Sequence, residues 1–436
     1  MLKLYKEHPE FDEFTKFDTK TGKLVSITGE EFKAFLPEDF STEMASEEPI
    51  QKIETEDATI FMGETSGTHT KFPRRIYFQI TRNCNLECSY CFIKAKKGAP
   101  DVPTKSIFEI AEFMGQYGLL EVRLTGGEPT IHPDFFDIVH KFKQEGIYVS
   151  VATNGLWGRK MRDELSKEEH LWIICSIDGP KEIHERYRPG TFNKIMENLK
   201  TLKNRNPSVR IRLTTVLTRE NMNHIYDLGA VCQAVDAESI TVIPLRPQVR
   251  DPNMVHQMVK GCEFKRVIED LIRATEDYGI EFTTTMETNY KDKIFKDPIV
   301  RKRSSCAAGR EATNLDYNAA VEEFQLYACS YSPAADLEAL PVIRSPFLAG
   351  TFHVGNISKF LDIWRDDIAW QLFRDLSIRS EVCQVCKYLK GHQCTGSCPI
   401  QNVDLTKINV SNSVLEQLAK QIRGTSEWYC YQTLDK

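Results

Sequence analysis

Two adjacent stretches decide how this sequence is interpreted: the run Ile76-Tyr-Phe-Gln-Ile80, and the cysteine triplet Cys84-Asn-Leu-Glu-Cys88-Ser-Tyr-Cys91. The run is rich in residues favoured in β-strands and predicts a strand. The triplet then lies in the loop at the carboxyl end of that strand. Its three thiols are close enough for one loop to hold three corners of a cubane iron-sulfur cluster and to leave one iron open.

Outward from this point, strands alternate with helical patterns up to about residue 245. The predicted strands cover residues 76–80, 120–124, 148–152, 172–177, 210–216 and 239–243. The helical patterns cover residues 106–117, 134–145, 192–204 and 223–235. Strands joined by crossover helices predict an α/β fold with a parallel sheet, and six such units predict a partial (β/α)6 TIM-like barrel. In these barrels, chemistry takes place at the carboxyl ends of the strands, so the segments after the first four strands should meet at one rim.

The rest of the chain predicts two further parts. Residues 14–27 have the pattern of a hairpin, Thr28-Gly-Glu-Glu31 is a capping-box start for a short helix, and residues 37–67 predict a linker. Beyond about residue 300, most of the remaining cysteines are separated by loops, with one clear helix at 362–376. We expect a small N-terminal element at 1–70, the barrel at 71–300, and a cysteine-rich region at 301–436 that is organised by cysteine ligation.

Composition excludes several classes of protein. The 436 residues are 41% hydrophobic and 27% charged, which can bury real cores and is unlike a disordered chain. A net charge of -6 provides no basic field for nucleic acid. Without a signal peptide or an apolar run of membrane-spanning length, we expect a cytoplasmic protein with no membrane partner. In a reducing cytosol the 13 cysteines favour metal ligation or catalysis over disulfides.

With Tyr90 just before its third cysteine, the triplet resembles the signature of the radical S-adenosylmethionine (SAM) superfamily. The resemblance extends through Gly126-Gly-Glu128, Asn154 and Ser176-Ile-Asp-Gly179, and covers roughly residues 75–245. It implies a catalytic [4Fe-4S] cluster on Cys84, Cys88 and Cys91, and an enzyme that reductively cleaves S-adenosyl-L-methionine to a 5′-deoxyadenosyl radical. The alternative for the triplet, a structural zinc loop, lacks a fourth ligand nearby.

The same resemblance implies contacts to S-adenosyl-L-methionine. The glycine-rich segment after strand two would lie against the methionine amino group, and other residues would bind the ribose, the carboxylate or the adenine. The implied positions are Tyr90, Gly126, Gly127, Glu128, Asn154, Ser176, Arg188 and Pro244. Arg188 is equally compatible with a surface position, and no catalytic acid or base can be named.

The C-terminal cysteines resemble the SPASM extension of this superfamily, which carries two auxiliary [4Fe-4S] clusters. By that resemblance Cys383, Cys386, Cys394 and Cys430 hold the outer cluster, and Cys306, Cys329 and Cys398 hold the inner one. The inner cluster is then one ligand short. Cys262, an oxygen ligand such as Ser304 or Ser305, or water completes it, or one iron stays open for a substrate thiolate. Cys175 and Cys232 are expected to be core residues.

This resemblance favours an enzyme that oxidatively modifies a peptide or protein substrate by forming a cross-link, and an open iron would favour a thioether. The N-terminal element would then bind a leader peptide or merely cap the barrel, and flavodoxin or ferredoxin would donate electrons. The alternatives are an anaerobic sulfatase-maturing enzyme, a radical SAM dehydrogenase of a small molecule, and a non-enzymatic iron-sulfur electron-transfer protein. Sulfatase-maturing enzymes place an acid where this chain has Ser330, which counts against that alternative.

Overall fold

The computed structural model describes residues 2–8, 13–20, 23–36, 51–62, 69–246, 249–259, 262–284, 306–331, 347–366, 368–386, 389, 398–400 and 413–424. Within these ranges the strands form two sheets, and the larger sheet carries the helices of the barrel. The predicted linker residues 37–50 and 63–68 lie outside the described ranges, as do Cys394, Cys430, Ser304 and Ser305.

The N-terminal element is a five-stranded sheet with the order β3-β2-β1-β5-β4. Its strands are β1 (Leu2–His8), β2 (Glu13–Asp18), β3 (Lys23–Ile27), β4 (Gln51–Glu54) and β5 (Ala58–Met62). The β2–β3 hairpin is confirmed, as is helix α1 (Gly29–Lys33), which starts at a capping box formed by Thr28 and Glu31. The prediction of a linker was wrong for residues 51–62. They form an antiparallel pair, β4–β5, which is too short to show a clear alternation in the sequence.

The main sheet has ten strands in the order β12-β11-β10-β9-β8-β7-β6-β13-β14-β15. Its first seven strands in the chain are β6 (Arg75–Thr81), β7 (Glu121–Gly126), β8 (Tyr148–Thr153), β9 (Trp172–Ser176), β10 (Arg210–Leu217), β11 (Ser239–Pro244) and β12 (Glu281–Thr284). All neighbours among these seven are parallel. The six predicted barrel strands are therefore confirmed, and β12 adds a seventh.

Helices cover the outer face of the parallel strands. They are α2 (Thr104–Gln116), α3 (Phe135–Gln144), α4 (Arg159–Leu165), α5 (Lys181–Tyr187), α6 (Phe192–Arg205), α7 (Leu228–Ala234) and α8 (Cys262–Tyr278). The predicted helix at 223–235 is shortened to a 3-10 turn followed by α7. Cys175 on β9 and Cys232 on α7 are fully buried in the core between sheet and helices, as predicted.

Within the described residues beyond 306, the chain continues the main sheet. Strand β13 (Ala312–Asn318) pairs with β6 in parallel, and β14 (Glu323–Tyr327) and β15 (Leu348–Phe352) follow in antiparallel order. One hydrophobic core extends from Phe72 to Ile422. Sheet pairing and apolar packing therefore contribute to the order of the described part of this region, and the expectation that cysteine ligation organises it stays a prediction.

The predicted helix at 362–376 is broken in the structure. It consists of α9 (Lys359–Asp366), a 3-10 turn at Ile368–Trp370 and α10 (Gln371–Arg374). The Arg374 guanidinium donates to the carbonyl oxygens of Trp364 (2.6 Å) and Arg365 (3.1 Å). These are the carbonyls that the next turn of a continuous helix would use, so the buried arginine ends the helix there. Two further helices follow among the described residues: α11 (Glu381–Gln384) and α12 (Val414–Arg423). The sequence did not indicate α12.

The N-terminal sheet covers the floor of the barrel, at the amino ends of the strands. Lys3 is buried, and its Nζ donates to the carbonyl oxygen of Leu119 at 3.0 Å. The ring of Phe17 meets that of Tyr148 edge-on at 6.2 Å. This placement leaves the opposite rim, where the strands end, for the candidate site. Among the described helices, none has the length and hydropathy needed to cross a membrane.

Candidate active site at the rim of the barrel

The cysteine triplet lies in the loop that follows β6, as expected. Cys84 is buried, whereas Cys88 and Cys91 are half-buried. The loop is tightly turned, because the Cys91 amide donates to the Cys88 carbonyl at 3.1 Å and the Leu86 amide donates to the Cys84 sulfur at 3.4 Å. All three side chains are therefore held on one short segment at the rim.

The triplet forms one electrostatic group. The pKa of Cys84 is raised to about 11, mainly by burial and to a smaller extent by Glu128, Cys88 and Cys91, while the hydrogen bond from the Leu86 amide opposes the shift. Burial also raises the pKa of Cys88, while Arg188 opposes that shift. The raised pKa values favour the protonated form of Cys84 and Cys88, so metal binding at these two thiols must release their protons.

The donor set suits an iron-sulfur cluster. A cubane cluster takes one thiolate per iron, so three thiols on one short loop can ligate three of its irons.

The Gly126-Gly127 pair packs directly against the base of this loop. A Cβ added to Gly127 would lie 2.1 Å from the carbonyl oxygen of Asn83 and 2.9 Å from the Cβ of Cys84. A Cβ added to Gly126, whose φ is +144°, would lie 2.1 Å from the carbonyl oxygen of Thr81. The Gly127 amide donates to Thr81 and the Glu128 amide donates to Asn83, at 2.9 and 2.8 Å. The glycines thus let two rim segments approach each other, which fixes where the first thiol sits.

Both oxygens of the Glu128 carboxylate accept hydrogen bonds from neighbouring residues of the protein. Oε1 accepts from the amide and the hydroxyl of Thr130 and from the hydroxyl of Thr153, and Oε2 accepts from the amide of Asn154. Burial raises the pKa of Glu128 although all of these donors oppose the shift. Any contact of this segment with a cofactor therefore falls to its backbone, not to the Glu128 side chain.

Asn154 ties the loop after β8 to the cysteine loop. Its Nδ2 donates to Asn85 Oδ1 at 2.8 Å, and its Oδ1 accepts from the Leu156 amide at 2.9 Å. The side chain expected to bind S-adenosyl-L-methionine thus already has partners on both sides, and Asn85 lies one residue after Cys84.

Arg188 is buried, not on the surface. Its Nε donates to Asp178 Oδ2 and to the Tyr90 hydroxyl oxygen, both at 2.9 Å, and the Tyr90 hydroxyl donates to the same Asp178 oxygen at 2.6 Å. Burial raises the pKa of Tyr90 far above its usual range, and the neighbouring acidic groups raise the pKa of Arg188. The aromatic residue of the triplet is thus fixed by a buried ion pair.

Asp178 had no role in the sequence analysis, although it was part of the quoted Ser176–Gly179 segment. The sequence signal for this ion pair was an acidic residue ten positions before an arginine. His184 supports its backbone: the Asp178 amide donates to His184 Nδ1 at 3.2 Å, so the ring carries its proton on Nε2, which contacts Thr191 Oγ1 at 2.9 Å. Burial lowers the pKa of His184 to about 4 and keeps the ring neutral.

Ser176 and Pro244 end their strands at the same rim. Ser176 is the last residue of β9 and is half-buried, and Pro244 is the last residue of β11 and is buried. Both positions agree with the expectation that the strand ends converge.

Three of the expected auxiliary ligands also come together. The pKa of Cys329 is raised to about 12, mainly by burial, and Cys306 and Cys398 are close enough to contribute to the shift. These are the three cysteines that the resemblance assigns to the inner cluster. Cys383 and Cys386 form a separate turn in which the Cys386 amide donates to the Cys383 carbonyl at 3.0 Å. Cys262 is the first residue of α8.

The two cysteine regions meet through aromatic rings. Phe92 directly follows Cys91, and its ring centroid lies 4.4 Å from that of Tyr331, two residues after Cys329. The Arg246 guanidinium lies over the Tyr331 ring at 5.1 Å. The sequence did not indicate this contact, because it joins residues that are more than two hundred positions apart.

Comparisons with known proteins agree with this geometry. Residues 78–230 match the model of the radical SAM superfamily. The chain is 23% identical over 333 residues to the mycofactocin maturase MftC of Mycolicibacterium smegmatis, covering 75% of this chain and 78% of the relative. It is 30% identical over 199 residues to a cysteine-type anaerobic sulfatase-maturating enzyme of Clostridium novyi, covering 40% of this chain but only 51% of that enzyme.

Among solved structures, Streptococcus suis SuiB bound to the precursor peptide SuiA superposes with a TM-score of 0.61 at 12% identity, over 93% of this chain and 98% of that one. At this identity the likeness concerns the fold. The family match covers the cysteine triplet and the first three segments that meet it at the rim. Residues 78–230 of this enzyme therefore form a radical SAM domain, and members of that superfamily bind S-adenosyl-L-methionine and a [4Fe-4S] cluster.

Proposed function

We propose that this enzyme oxidatively modifies a side chain of a peptide or protein substrate. The observation that carries the proposal is the contact between two clusters of cysteines. Phe92, next to the cysteine triplet at the rim, packs against Tyr331, which lies two residues after Cys329 in the second cluster. Similarity to a maturase and to a structure that holds a precursor peptide supports a peptide substrate.

In this proposal Cys84, Cys88 and Cys91 hold the catalytic [4Fe-4S] cluster. When bound, that cluster and S-adenosyl-L-methionine supply the radical that removes a hydrogen atom from the substrate. The backbone at Gly126–Glu128 and the strand-end residues Ser176 and Pro244 would contact S-adenosyl-L-methionine. Tyr90, Asn154 and Arg188 act by positioning the cysteine loop, because their polar atoms already bind one another or neighbouring loops.

The remaining cysteines would hold two auxiliary [4Fe-4S] clusters. Cys306, Cys329 and Cys398 would ligate the inner one and Cys383, Cys386, Cys394 and Cys430 the outer one. A second oxidation step needs an acceptor for the electron that hydrogen abstraction leaves on the substrate, and auxiliary clusters can take it. A flavodoxin- or ferredoxin-type protein would supply the electron for the first step.

The N-terminal sheet would bind a leader. Its order leaves β3 and β4 as edge strands within the described residues, and an edge strand can add a strand from a partner peptide. An inner cluster with one iron free of cysteine would bind a substrate thiolate and so favour thioether formation.

The test is anaerobic reconstitution with iron and sulfide. Three cubanes predict about twelve irons per chain, and reductive cleavage of S-adenosyl-L-methionine to 5′-deoxyadenosine should follow. Replacing Cys84, Cys88 and Cys91 together by Ala should abolish cleavage and remove about four irons. Cleavage that survives in this variant, or stoichiometric zinc in place of iron, would contradict the assignment.

A second candidate is sulfatase maturation, favoured by the identity of 30% to the Clostridium novyi enzyme. Ser330, which follows Cys329, counts against it. Incubating the reconstituted enzyme with a sulfatase-derived peptide that contains Cys tests this candidate, because formylglycine in the product would show that the enzyme matures sulfatases.

A further inference from the structure

The inner wall of the barrel along β10 keeps exposed surface over its whole length. On this strand Ile211 and Leu213 pack in the core beneath the helices. Residues 210, 212, 214 and 216 therefore face the interior, because successive strand residues alternate between the two faces. All four of these inward residues are half-buried, whereas the outward residues between them are buried. The interior is thus open beside β10 from Arg210 near the floor to Val216 near the rim.

Arg212 lies on this wall with an incomplete set of partners. Its Nε donates to Ser239 Oγ at 2.8 Å, and its guanidinium carbon lies 4.3 Å from the centre of the Trp172 ring. The two terminal nitrogens have no hydrogen-bond partner among the described residues, and both retain exposed surface. The forked end of this guanidinium, with its N–H donors, is therefore available to a ligand.

A second guanidinium lies beside the first. The guanidinium carbon of Arg123 is 5.7 Å from the centre of the same Trp172 ring. Burial lowers the pKa of Arg212 to about 10, and repulsion by Arg123 is the next largest cause of that shift. The two cations are therefore held close together at a cost to the free protein, which an anion placed beside them would offset.

The neighbouring carboxylates leave one positive charge unbalanced. Glu121 is shared between two arginines, since it pairs with Arg75 at 2.6 Å and with Arg123 at 2.9 Å. Glu281 on β12 is exposed and attracts Arg212, but no ion pair joins the two in the described part of the chain. Three guanidiniums and two carboxylates leave a net charge of one positive unit.

The shape and the charge of this site define the ligand. A guanidinium fork binds a carboxylate through two parallel N–H···O hydrogen bonds. One carboxylate carries the single negative charge that balances the site, whereas a phosphate dianion would leave an excess of negative charge. The Trp172 ring beneath the Arg212 guanidinium fixes the plane of the fork before any ligand arrives.

We propose that Arg212, with Arg123 beside it, binds a carboxylate of the substrate inside the barrel. The inference rests on the proposed function in taking the substrate to be a peptide, which carries carboxylates on acidic side chains and at its C-terminus. Arg212 lies two residues before Thr214, which pairs with Ser176 at the end of β9. Because a strand rises about 3.3 Å per residue, the backbone of Arg212 lies roughly 7 Å below the rim. A substrate anchored here presents its neighbouring residues at the rim where the thiols lie.

The experiment measures the thermal midpoint of the anaerobically reconstituted, full-length protein with matched small probes. N-acetylglycine carries a C-terminal carboxylate, and N-acetylglutamic acid α-methylamide carries a side-chain carboxylate. N-acetylglycine N-methylamide is the neutral comparison. Inorganic phosphate at the same ionic strength tests the response to anions in general.

The variant is Arg212→Met, which removes the charge and keeps an unbranched side chain over Trp172. The matched control is Arg210→Met. The Arg210 guanidinium lies over the same ring at 4.6 Å, but it is paired with Glu238 at 2.8 Å. The two changes remove the same charge from the same ring, and they differ in whether the protein already pairs the guanidinium with a carboxylate.

Both carboxylates should raise the midpoint of the wild type in a concentration-dependent way, the neutral probe should not, and phosphate should do so less. Arg212→Met should weaken the binding of carboxylates at least tenfold, whereas Arg210→Met should change it less than threefold. Arg212→Lys keeps the charge without the fork, so its affinity should lie between those of the wild type and Arg212→Met. The carboxylate that binds more tightly identifies its source in the substrate.

Equal carboxylate binding by the wild type and Arg212→Met would overturn the proposal. Equal losses in Arg212→Met and Arg210→Met would do so too, because they would reflect net charge alone. Phosphate binding as tight as carboxylate binding would show a general anion site and would also overturn it. If Arg212→Met does not fold, Arg212→Lys is compared with Arg210→Lys by the same criteria. Carboxylate binding that depends on Arg212, in an enzyme that oxidises no peptide, would refute the proposed function and leave the carboxylate site standing.

Discussion

Gly127→Ala should displace the cysteine loop and disable the site without unfolding the protein. The added Cβ would meet the Asn83 carbonyl oxygen at 2.1 Å, its carbonyl carbon at 2.6 Å and the Cβ of Cys84 at 2.9 Å. Two of these atoms are backbone, so no side-chain rotation relieves the contact.

The size of the effect follows from these distances. Real Cβ contacts essentially never fall below 3.0 Å, so the Asn83 carbonyl must retreat by about 1 Å, and Cys84 is the next residue along the chain. Overpacking of this kind costs about 1–3 kcal/mol of stability. A misplacement of about 1 Å can lower a rate by roughly 10²-fold, so we expect cleavage of S-adenosyl-L-methionine to fall by about that factor.

The assay compares Gly127→Ala with Gly158→Ala, a glycine-to-alanine change at a site with no atom within 4 Å of the added Cβ. Bound iron, 5′-deoxyadenosine formation and the urea midpoint are measured for both. The control should match the wild type in iron and in rate. Wild-type iron content and rate in Gly127→Ala would refute the claim that this glycine fixes the first thiol.

Further predictions concern the buried network and the ionisation of His184. Arg188→Met should destabilise the protein by about 3–5 kcal/mol in urea unfolding, because it leaves the Asp178 carboxylate buried without its cation, whereas Arg188→Met combined with Asp178→Leu should recover part of that loss. Tyr90→Phe removes one hydrogen bond to Asp178 and one from Arg188, both to charged groups that contribute about 1.5–3 kcal/mol each, so it should cost at least about 1.5 kcal/mol, and a smaller loss would show that water replaces the hydroxyl. The pKa of His184 is about 4 in the folded state and 6.5 for the free side chain, so as the pH falls the unfolded state takes up the proton first. The free energy of unfolding should therefore fall as the pH drops from about 6.5 to 4, by up to about 1.4 kcal/mol per pH unit. His184→Gln should flatten this slope in urea titrations at several pH values, and an unchanged slope would mean that another group titrates.

The rim was predictable because it follows from topology. Once strands alternate with helices, their carboxyl ends must lie together, so Cys84, Gly126, Asn154 and Ser176 were placed at one edge from sequence alone. The partners of those residues were not predictable. That Arg188 binds Asp178 and Tyr90 depends on how two loops fold back over β9, and loop paths leave no periodic signal.

The same limit explains the errors outside the barrel. Strand β13 pairs with β6 across more than two hundred residues, so nothing local in 312–318 shows that it joins the main sheet. Strands β4 and β5 are four and five residues long and lie next to an acidic stretch that resembles a linker. The helix at 362–376 shows continuous periodicity, and only the placement of the Arg374 guanidinium under Trp364 reveals why it breaks.

The contacts at the rim form a closed circuit around the first thiol. The loop after β6 accepts hydrogen bonds from the Gly127 and Glu128 amides, the Glu128 carboxylate holds Asn154, and Asn154 returns to Asn85 beside Cys84. Each of these three loops is held by hydrogen bonds to both of the others, so we expect the loss of one hydrogen bond to affect the position of all three loops. Asn154 and Arg188, which a family resemblance assigns to cofactor contacts, here hydrogen-bond to other loops of the protein. These polar side chains therefore hold the cysteine loop in place.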